Sequence, residues 1–180
     1  MSAADRLLCI DLQVDPQRGL QPDANAIFGA RALLSVARRS GWTIAHTRMR
    51  SHPGGPTGFG ETRISGMRPL MSEKVFLRSG RSIADSPGLL ALLDEWRHET
   101  VYVAAFDHVT LLSCLLLRYE SGPRMVLVEN ALSAGTSVAT RAALDAFRSA
   151  ASHLAAGSTT IHKILSRSEN RIAPLHQQSA

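Results

Sequence analysis

Three residues that could do chemistry stand where short apolar runs end. Asp11 follows the first such run, Arg78 follows a second, and Thr110 comes shortly after a third. A carboxylate beside an apolar strand is partly desolvated, so its pKa tends to rise unless a cation compensates, and such a group suits general acid or base catalysis. A cation at a neighbouring strand end could pair with that carboxylate or hold a substrate carboxylate in bidentate fashion. These residue types indicate acid–base chemistry on a small anionic molecule.

Each of the three residues also has an ordinary structural interpretation. Asp11 could be a turn or capping residue, and Arg78 could be a solvated loop arginine. Thr110 could cap the first turn of a helix. It would be a nucleophile only with a base beside it, because a hydroxyl ionises far less readily than a thiol. The residues alone leave these alternatives open.

Further candidates for binding an anionic substrate flank the three residues. The segment 104–110 is predicted to join a strand to a helix, and backbone amides at a helix N-terminus can hold an oxyanion or a carboxylate. Some of its members could instead cap or pack the helix. The predicted substrate-binding residues are Gln13, Arg48, Arg50, Arg81, Phe106, Asp107 and His108.

Alternating strands and helices are predicted to position these residues. Apolar runs predict strands at 7–11, 42–47, 74–77, 100–105, 124–129 and 159–165. Helical spacing predicts helices at 25–40, 86–97, 111–120 and 136–156, and the Gly-, Pro- and Ser-rich stretch 48–68 is predicted to be a long loop. Right-handed crossovers then give a three-layer α/β/α sandwich with a mainly parallel, Rossmann-like central sheet. Ligands bind such sheets at the carboxyl ends of the strands.

Composition predicts one ordinary globular domain. The chain has 180 residues, of which 44% are hydrophobic and 19% charged, and we expect a single domain over 1–166 with a polar tail at 167–180. No apolar run is long enough to span a bilayer, and the N-terminus lacks the plan of a secretory signal. Cys9 and Cys114 lie in apolar runs, which indicates buried free thiols and a cytoplasmic location.

The basic charge does not by itself indicate a nucleic-acid partner. The net charge is +5, but the sequence has no tight Lys/Arg run, and aromatic residues make up only 5% of the chain. An anionic small substrate accounts for the arginines at least as well. The expected partner is therefore a small, carboxylate-bearing molecule, with no nucleic acid and no membrane.

Six short motifs occur in an order that a known family shares. They are D-L-Q-V-D at 11–15, S-H-P at 51–53, S-E-K-V-F-L-R at 72–78, S-I-A at 82–84 with Leu89 beyond, A-A-F-D-H-V-T at 104–110, and V-E-N-A at 128–131. In this order they resemble the D-x-Q-x-D, W-H-P, g-D-x-v-i-x-K, S-A-F-x-x-T-x-L, G-v-x-T-H-V-C and v-x-D-A motifs of the isochorismatase-like cysteine hydrolases. The resemblance spans 7–165 and implies the α/β/α fold of that family.

The resemblance implies a triad in which an Asp serves as base, a Lys positions and polarises, and a Cys thiolate attacks an amide. Asp11 falls on the Asp position, Arg78 on the Lys position and Thr110 on the Cys position. Placing Cys114 there instead would move it a full helical turn downstream and break the spacing to Gly122. Arginine is effectively always charged, and threonine lacks the low pKa of a thiol nucleophile. The nucleophilic cysteine is thus expected to be replaced by Thr110.

The resemblance also bears on metals, backbone and assembly. Nicotinamidase-like members bind a metal through Asp-x-His and another His, whereas Arg50-Ser51-His52 lacks the carboxylate, so we expect neither a metal nor a cofactor. Family members often carry a cis peptide bond at the strand–helix junction, which here would lie near Phe106–Asp107. They commonly form homodimers or homotetramers, which is the expected assembly.

Three functions remain open after the resemblance. The first is a hydrolase that acts through Asp11 without a covalent intermediate, on a vinyl ether such as isochorismate held by arginines. The second is a catalytically inactive member, a pseudoenzyme, retained as a ligand-binding or assembly subunit. The third is a hydrolase with Thr110 as nucleophile. Two altered triad positions motivate the second function, so whether the chain is an enzyme stays open at this point.

Overall fold

A parallel sheet forms the centre of the molecule. The computed structural model describes residues 5–14, 22–49, 64–80, 82–117, 122–133 and 157–164, together with 142, 145 and 166. Its strands are β1 (Arg6–Ile10), β2 (Thr43–Met49), β3 (Lys74–Arg78), β4 (Thr100–Ala105), β5 (Arg124–Leu132) and β6 (Gly157–Thr159). They lie in the order β3-β2-β1-β4-β5-β6, and each described pair of neighbours is parallel.

Helices cover both faces of this sheet. They are α1 (Ala24–Arg39), α2 (Pro87–Glu95) and α3 (His108–Leu117), with a 3-10 helix at Ile83–Asp85. Successive side chains of a strand point to opposite faces, so Leu7 and Cys9 pack in the hydrophobic cluster with α1, whereas Leu8 and Ile10 pack in the cluster with α2 and α3. The predicted three-layer α/β/α architecture is therefore confirmed.

Local sequence explains the start and the end of α1. The Asp23 side chain caps the helix by accepting a hydrogen bond from the Ala26 amide at 2.8 Å. Arg38 and Arg39 lie in the last turn, where the partial negative charge of the helix end favours cations. Gly41 follows with a φ of 66°, a left-handed conformation that glycine adopts without steric cost.

Gly29 allows α1 to approach the end of β5 closely. A Cβ atom at this position would lie 1.7 Å from the backbone oxygen of Asn130. Backbone cannot move aside as a side-chain tip can, so Gly29→Ala is expected to lower the free energy of unfolding by about 3 kcal/mol. Urea denaturation will measure this loss. Gly41→Ala is a useful comparison, because nothing lies within 4 Å of a Cβ there and only the positive φ opposes the substitution.

The observed elements differ from the predicted ones mainly at their ends. β2 and β5 extend through Met49 and Leu132, and α3 begins at His108 rather than at 111. At the C-terminal edge, the strand ends at Thr159 and residues 161–164 are helical, so the predicted strand 159–165 was wrong. Ile161 and Ile164 are three residues apart and both pack against the cluster with α1, which a helix allows and a strand does not.

Some predictions fall outside the described part of the chain. These are most of the loop 48–68, the helix 136–156 apart from 142 and 145, and the tail 167–180. Among the described residues, no helix combines the length and the apolar character needed to cross a membrane.

Candidate active site

The three predicted catalytic residues meet at the carboxyl edge of the sheet. Asp11 directly follows β1, Arg78 is the last residue of β3, and Thr110 lies in the first turn of α3. β1 and β4 are neighbours, yet α1 and α3, the helices that follow them, lie on opposite faces of the sheet. Such a reversal opens a crevice at the carboxyl ends of the strands, which is where ligands bind in this class of fold.

Asp11 is completely buried and bound at both carboxylate oxygens. Oδ1 accepts a hydrogen bond of 2.8 Å from the Thr47 hydroxyl, and Oδ2 accepts one from Nη2 of Arg78. The backbone of Asp11 has a φ of 48°, a left-handed conformation that Asp and Asn tolerate better than most residues. Asp11 thus turns out of β1 with its carboxylate held between β2 and β3.

Arg78 is the cation of the site and is also completely buried. Its Nη2 donates to Asp11 and, at 3.0 Å, to the hydroxyl of Thr110, and its Nη1 donates to the carbonyl oxygen of Gly80. Among the described residues, Nε meets no hydrogen-bond partner. One guanidinium therefore joins the residue after β1 to the first turn of α3.

Thr110 is linked to a second carboxylate, that of Asp107. The Thr110 hydroxyl donates to Oδ2 of Asp107 at 2.9 Å and accepts from Arg78, which fixes the direction of its proton. Oδ1 of Asp107 accepts from the amides of Val109 at 3.0 Å and Thr110 at 3.3 Å. Asp107 is the capping residue of α3, because its carbonyl oxygen also accepts from the Leu111 amide.

The surroundings of Asp11 shift the pKa of its carboxyl upward. Burial raises the pKa of the Asp11 carboxyl most strongly, and the negative charge of Asp107 raises it further. Arg78 and the hydrogen bond from Thr47 act in the opposite direction without reversing the shift. A raised pKa keeps a carboxyl protonated at higher pH than an exposed aspartate would be, which is the direction that general acid catalysis needs.

The other predicted substrate-binding residues are placed in different ways. Gln13 is buried next to Asp11, and its Oε1 has no hydrogen-bond partner in the part of the chain that the structure describes, which makes it an acceptor that a ligand could use. Phe106 packs in the hydrophobic cluster with α1. Arg48 follows Thr47 on β2, so the two side chains leave opposite faces of the sheet. His108 starts α3, and its side chain, Arg50 and Arg81 lie outside the described part of the structure.

Sequence reasoning missed the role of Thr47 and the hydrogen bond between Asp107 and Thr110. Thr47 was predicted as the end of a strand, and only the register, in which it lies opposite Ile10, puts its hydroxyl beside Asp11. Asp107 was predicted to bind substrate or cap a helix, and its link to Thr110 requires that α3 begin at His108. The signal in the sequence was a residue with a hydroxyl group, Thr47, at the end of the predicted strand 42–47.

A second buried polar cluster lies on the α1 face. Glu73 accepts from Nε2 of His46 at 2.8 Å and from Nε of Arg38 at 2.8 Å, and Arg38 also donates to the carbonyl oxygens of Gly66 and Arg68. Burial alone would raise the pKa of Glu73, but the hydrogen bonds from His46 and Arg38 lower it to about 2. This cluster fixes the segment before β3 to α1.

Both cysteines of the chain lie in the hydrophobic core, Cys9 in the cluster with α1 and Cys114 in the cluster with α2 and α3. Cys9 and Cys114 are free and completely buried, and burial raises the pKa of the Cys9 thiol. Within the described ranges, no three His, Cys, Asp or Glu side chains are grouped as metal ligands. The described peptide bonds are all trans, so the cis bond expected near Phe106–Asp107 is not found.

The groove found among the described residues lies away from this site. It has a volume of about 460 Å³ and lies beside the start of β3, against α2. None of its lining residues is a predicted site residue. They are Lys74, Val75, Phe76, Gly88, Ala91, Leu92 and Glu95.

Comparison with known proteins identifies the fold. No protein-family model matches the chain, and no curated protein matches it. Among solved structures, it is similar to an isochorismatase from Pseudomonas putida KT2440, with 24% identity, a TM-score of 0.71, and coverage of 88% of this chain and 89% of that one.

Two similar structures have other activities in their names. A MAR1 ribonuclease from Caenorhabditis elegans is 20% identical with a TM-score of 0.64, over 88% of this chain and 78% of that one. An N-carbamoylsarcosine amidase from Thermoplasma acidophilum is 15% identical with a TM-score of 0.62, over 88% of this chain and 96% of that one. The chain therefore has the α/β fold of the isochorismatase-like hydrolases.

Proposed function

We propose that the chain is a hydrolase that cleaves a small, carboxylate-bearing vinyl ether by protonation from Asp11, without a covalent intermediate. The observation that carries this proposal is a completely buried Asp11 with a raised pKa, bound to Arg78 at the carboxyl edge of the sheet. The position where the resemblance expects a thiolate holds Thr110, so covalent attack on an amide is not supported. Isochorismate is a substrate of this class, and one similar structure is an isochorismatase.

The proposed reaction needs one acid and one water. The Asp11 carboxyl transfers its proton to the terminal vinyl carbon, which leaves an oxocarbenium ion on the ether carbon. Water adds to that carbon and returns a proton to the Asp11 carboxylate, and the resulting hemiketal separates into an alcohol and a keto acid. Arg78 stabilises the carboxylate that Asp11 becomes after the transfer, and each carboxylate oxygen keeps a lone pair for the proton in addition to its present partner.

The pH dependence of hydrolysis tests this proposal. Asp11 must be protonated to act, and its pKa lies above the usual range. The rate is therefore expected to be constant at low pH and to fall about tenfold per pH unit as the pH rises above the raised pKa. Pyruvate release from isochorismate measures the rate, and an N-carbamoyl amino acid serves as the amide comparison. Hydrolysis of the amide but not of the vinyl ether would contradict the proposal.

A second candidate function is a ligand-binding or assembly subunit without catalysis. The supporting observation is that Asp11, Arg78, Asp107 and Thr110 are each at most 2% exposed and bind one another. Such a network can serve the fold alone. Saturable binding of carboxylate ligands with no turnover of either substrate class would favour this function over the hydrolase.

A further inference from the structure

Asp107 uses both of its carboxylate oxygens inside the site. Oδ1 takes the Val109 and Thr110 amides, and Oδ2 takes the Thr110 hydroxyl, which in turn accepts from Arg78. Asp107 is 2% exposed, and Thr110 and Arg78 are not exposed at all. The chain thus carries its own carboxylate where two backbone amides and a buried guanidinium meet.

We infer that Asp107 is a specificity-determining residue, because its carboxylate fills this anion position and keeps a second anion out of it. Hydrolysis of an amide through attack by a side chain builds an oxyanion, which backbone amides such as these would stabilise. With both amides engaged by Asp107, no oxyanion gains stabilisation there. This inference rests on the proposed function and narrows it to substrates that react by accepting a proton.

The charges of the neighbouring side chains also disfavour a second anion at the position that Asp107 fills. Asp11 and Asp107 already place two carboxylates around one guanidinium, and Asp107 is among the causes that raise the pKa of Asp11. An anion placed against the Val109 and Thr110 amides would meet the Asp107 carboxylate directly, so the carboxylate of a substrate must bind elsewhere in the site. Burying an uncompensated charge is strongly unfavourable.

Asp23 shows what an ordinary helix cap looks like in the same molecule. Its Oδ1 accepts from one amide, that of Ala26, and the residue is exposed at the start of α1. Asp107 has the same capping role but is buried and reaches Arg78 through Thr110. Asp23 therefore provides a matched control for any effect of capping alone.

Formate provides the test, because it can replace a missing side-chain carboxylate. In Asp107→Gly, formate at ten times its dissociation constant is expected to raise the melting temperature by about 3 °C more than chloride at the same ionic strength. No such difference is expected in the unsubstituted protein or in Asp23→Gly. Thermal unfolding followed by circular dichroism measures the three proteins.

Two outcomes would overturn the inference. One is an absence of formate-specific stabilisation in Asp107→Gly, and the other is an equal stabilisation of Asp23→Gly. If Asp107→Gly does not fold, Asp107→Ala replaces it, since alanine also has no side-chain oxygen and leaves the two amides open to formate, and the same comparison applies. The measurement needs no substrate, so a failure to hydrolyse vinyl ethers would count against the proposed function and not against the formate result.

Discussion

Replacing Asp11 with asparagine is expected to lower kcat/KM for a vinyl-ether substrate by at least about 100-fold. Asparagine keeps the shape of the side chain and can still accept from Arg78 or Thr47, but it has no acidic proton to give. It also tolerates the φ of 48° that this position requires, so the turn out of β1 should survive. Steady-state kinetics of pyruvate release, with circular dichroism to check folding, measure the effect.

An exposed aspartate supplies the control for this substitution. Asp94 lies on the outer surface of α2, and Asp94→Asn makes the same chemical change away from the site. We expect its kcat/KM to equal that of the unsubstituted protein. If Asp11→Asn kept full activity, Asp11 would not be the acid, and the proposed mechanism would be wrong.

Replacing Arg78 with methionine is expected to cost about 3–5 kcal/mol of unfolding free energy at pH 7. The substitution leaves the buried Asp11 carboxylate without its cation. It also removes the hydrogen bond that the Thr110 hydroxyl accepts from Arg78. The loss should be smaller near pH 4. Without Arg78 the folded-state pKa of Asp11 rises further above its unfolded value, so stability is present at low pH and is lost as the pH rises.

A double variant separates the charge from the packing. In Asp11→Asn/Arg78→Met both charges are gone, and removal of a whole buried ion pair is often close to neutral. We therefore expect the double variant to be more stable at pH 7 than Arg78→Met alone, as measured by urea denaturation. Arg97→Met, at an exposed position, should change stability by no more than about 0.5 kcal/mol. A double variant no more stable than Arg78→Met would mean that packing, and not charge, dominates.

The meeting of Asp11, Arg78 and Thr110 could be predicted because parallel strands end at one edge. Each residue follows or ends a short apolar run, and a sheet of alternating strands and helices brings such ends together. The sequence could not show which atoms of these residues form hydrogen bonds with one another. That depends on the left-handed backbone of Asp11 and on the register of β1 against β2, neither of which leaves a pattern in the residue types.

The misplaced strand at the C-terminal edge has a similar cause. Ile161 and Ile164 look like part of an apolar run, and β-branched residues favour strands. Their packing against the cluster with α1 requires both on one side, which only helical spacing provides. Tertiary packing therefore makes residues 161–164 helical, although isoleucine by itself favours a strand.

The place of Arg78 on β3 links the site to one edge of the sheet. Among the described strands, β3 lies at an edge and pairs with β2. Buried polar contacts hold it at both ends, through Glu73 just before it and Arg78 at its last residue. Local unfolding can begin at an edge strand, so the ion pair between Arg78 and Asp11 also stabilises β3 against local unfolding. A related protein without catalytic activity would still need this arginine to stabilise the edge of its sheet. The presence of the Asp–Arg ion pair in a sequence is therefore not evidence of catalysis.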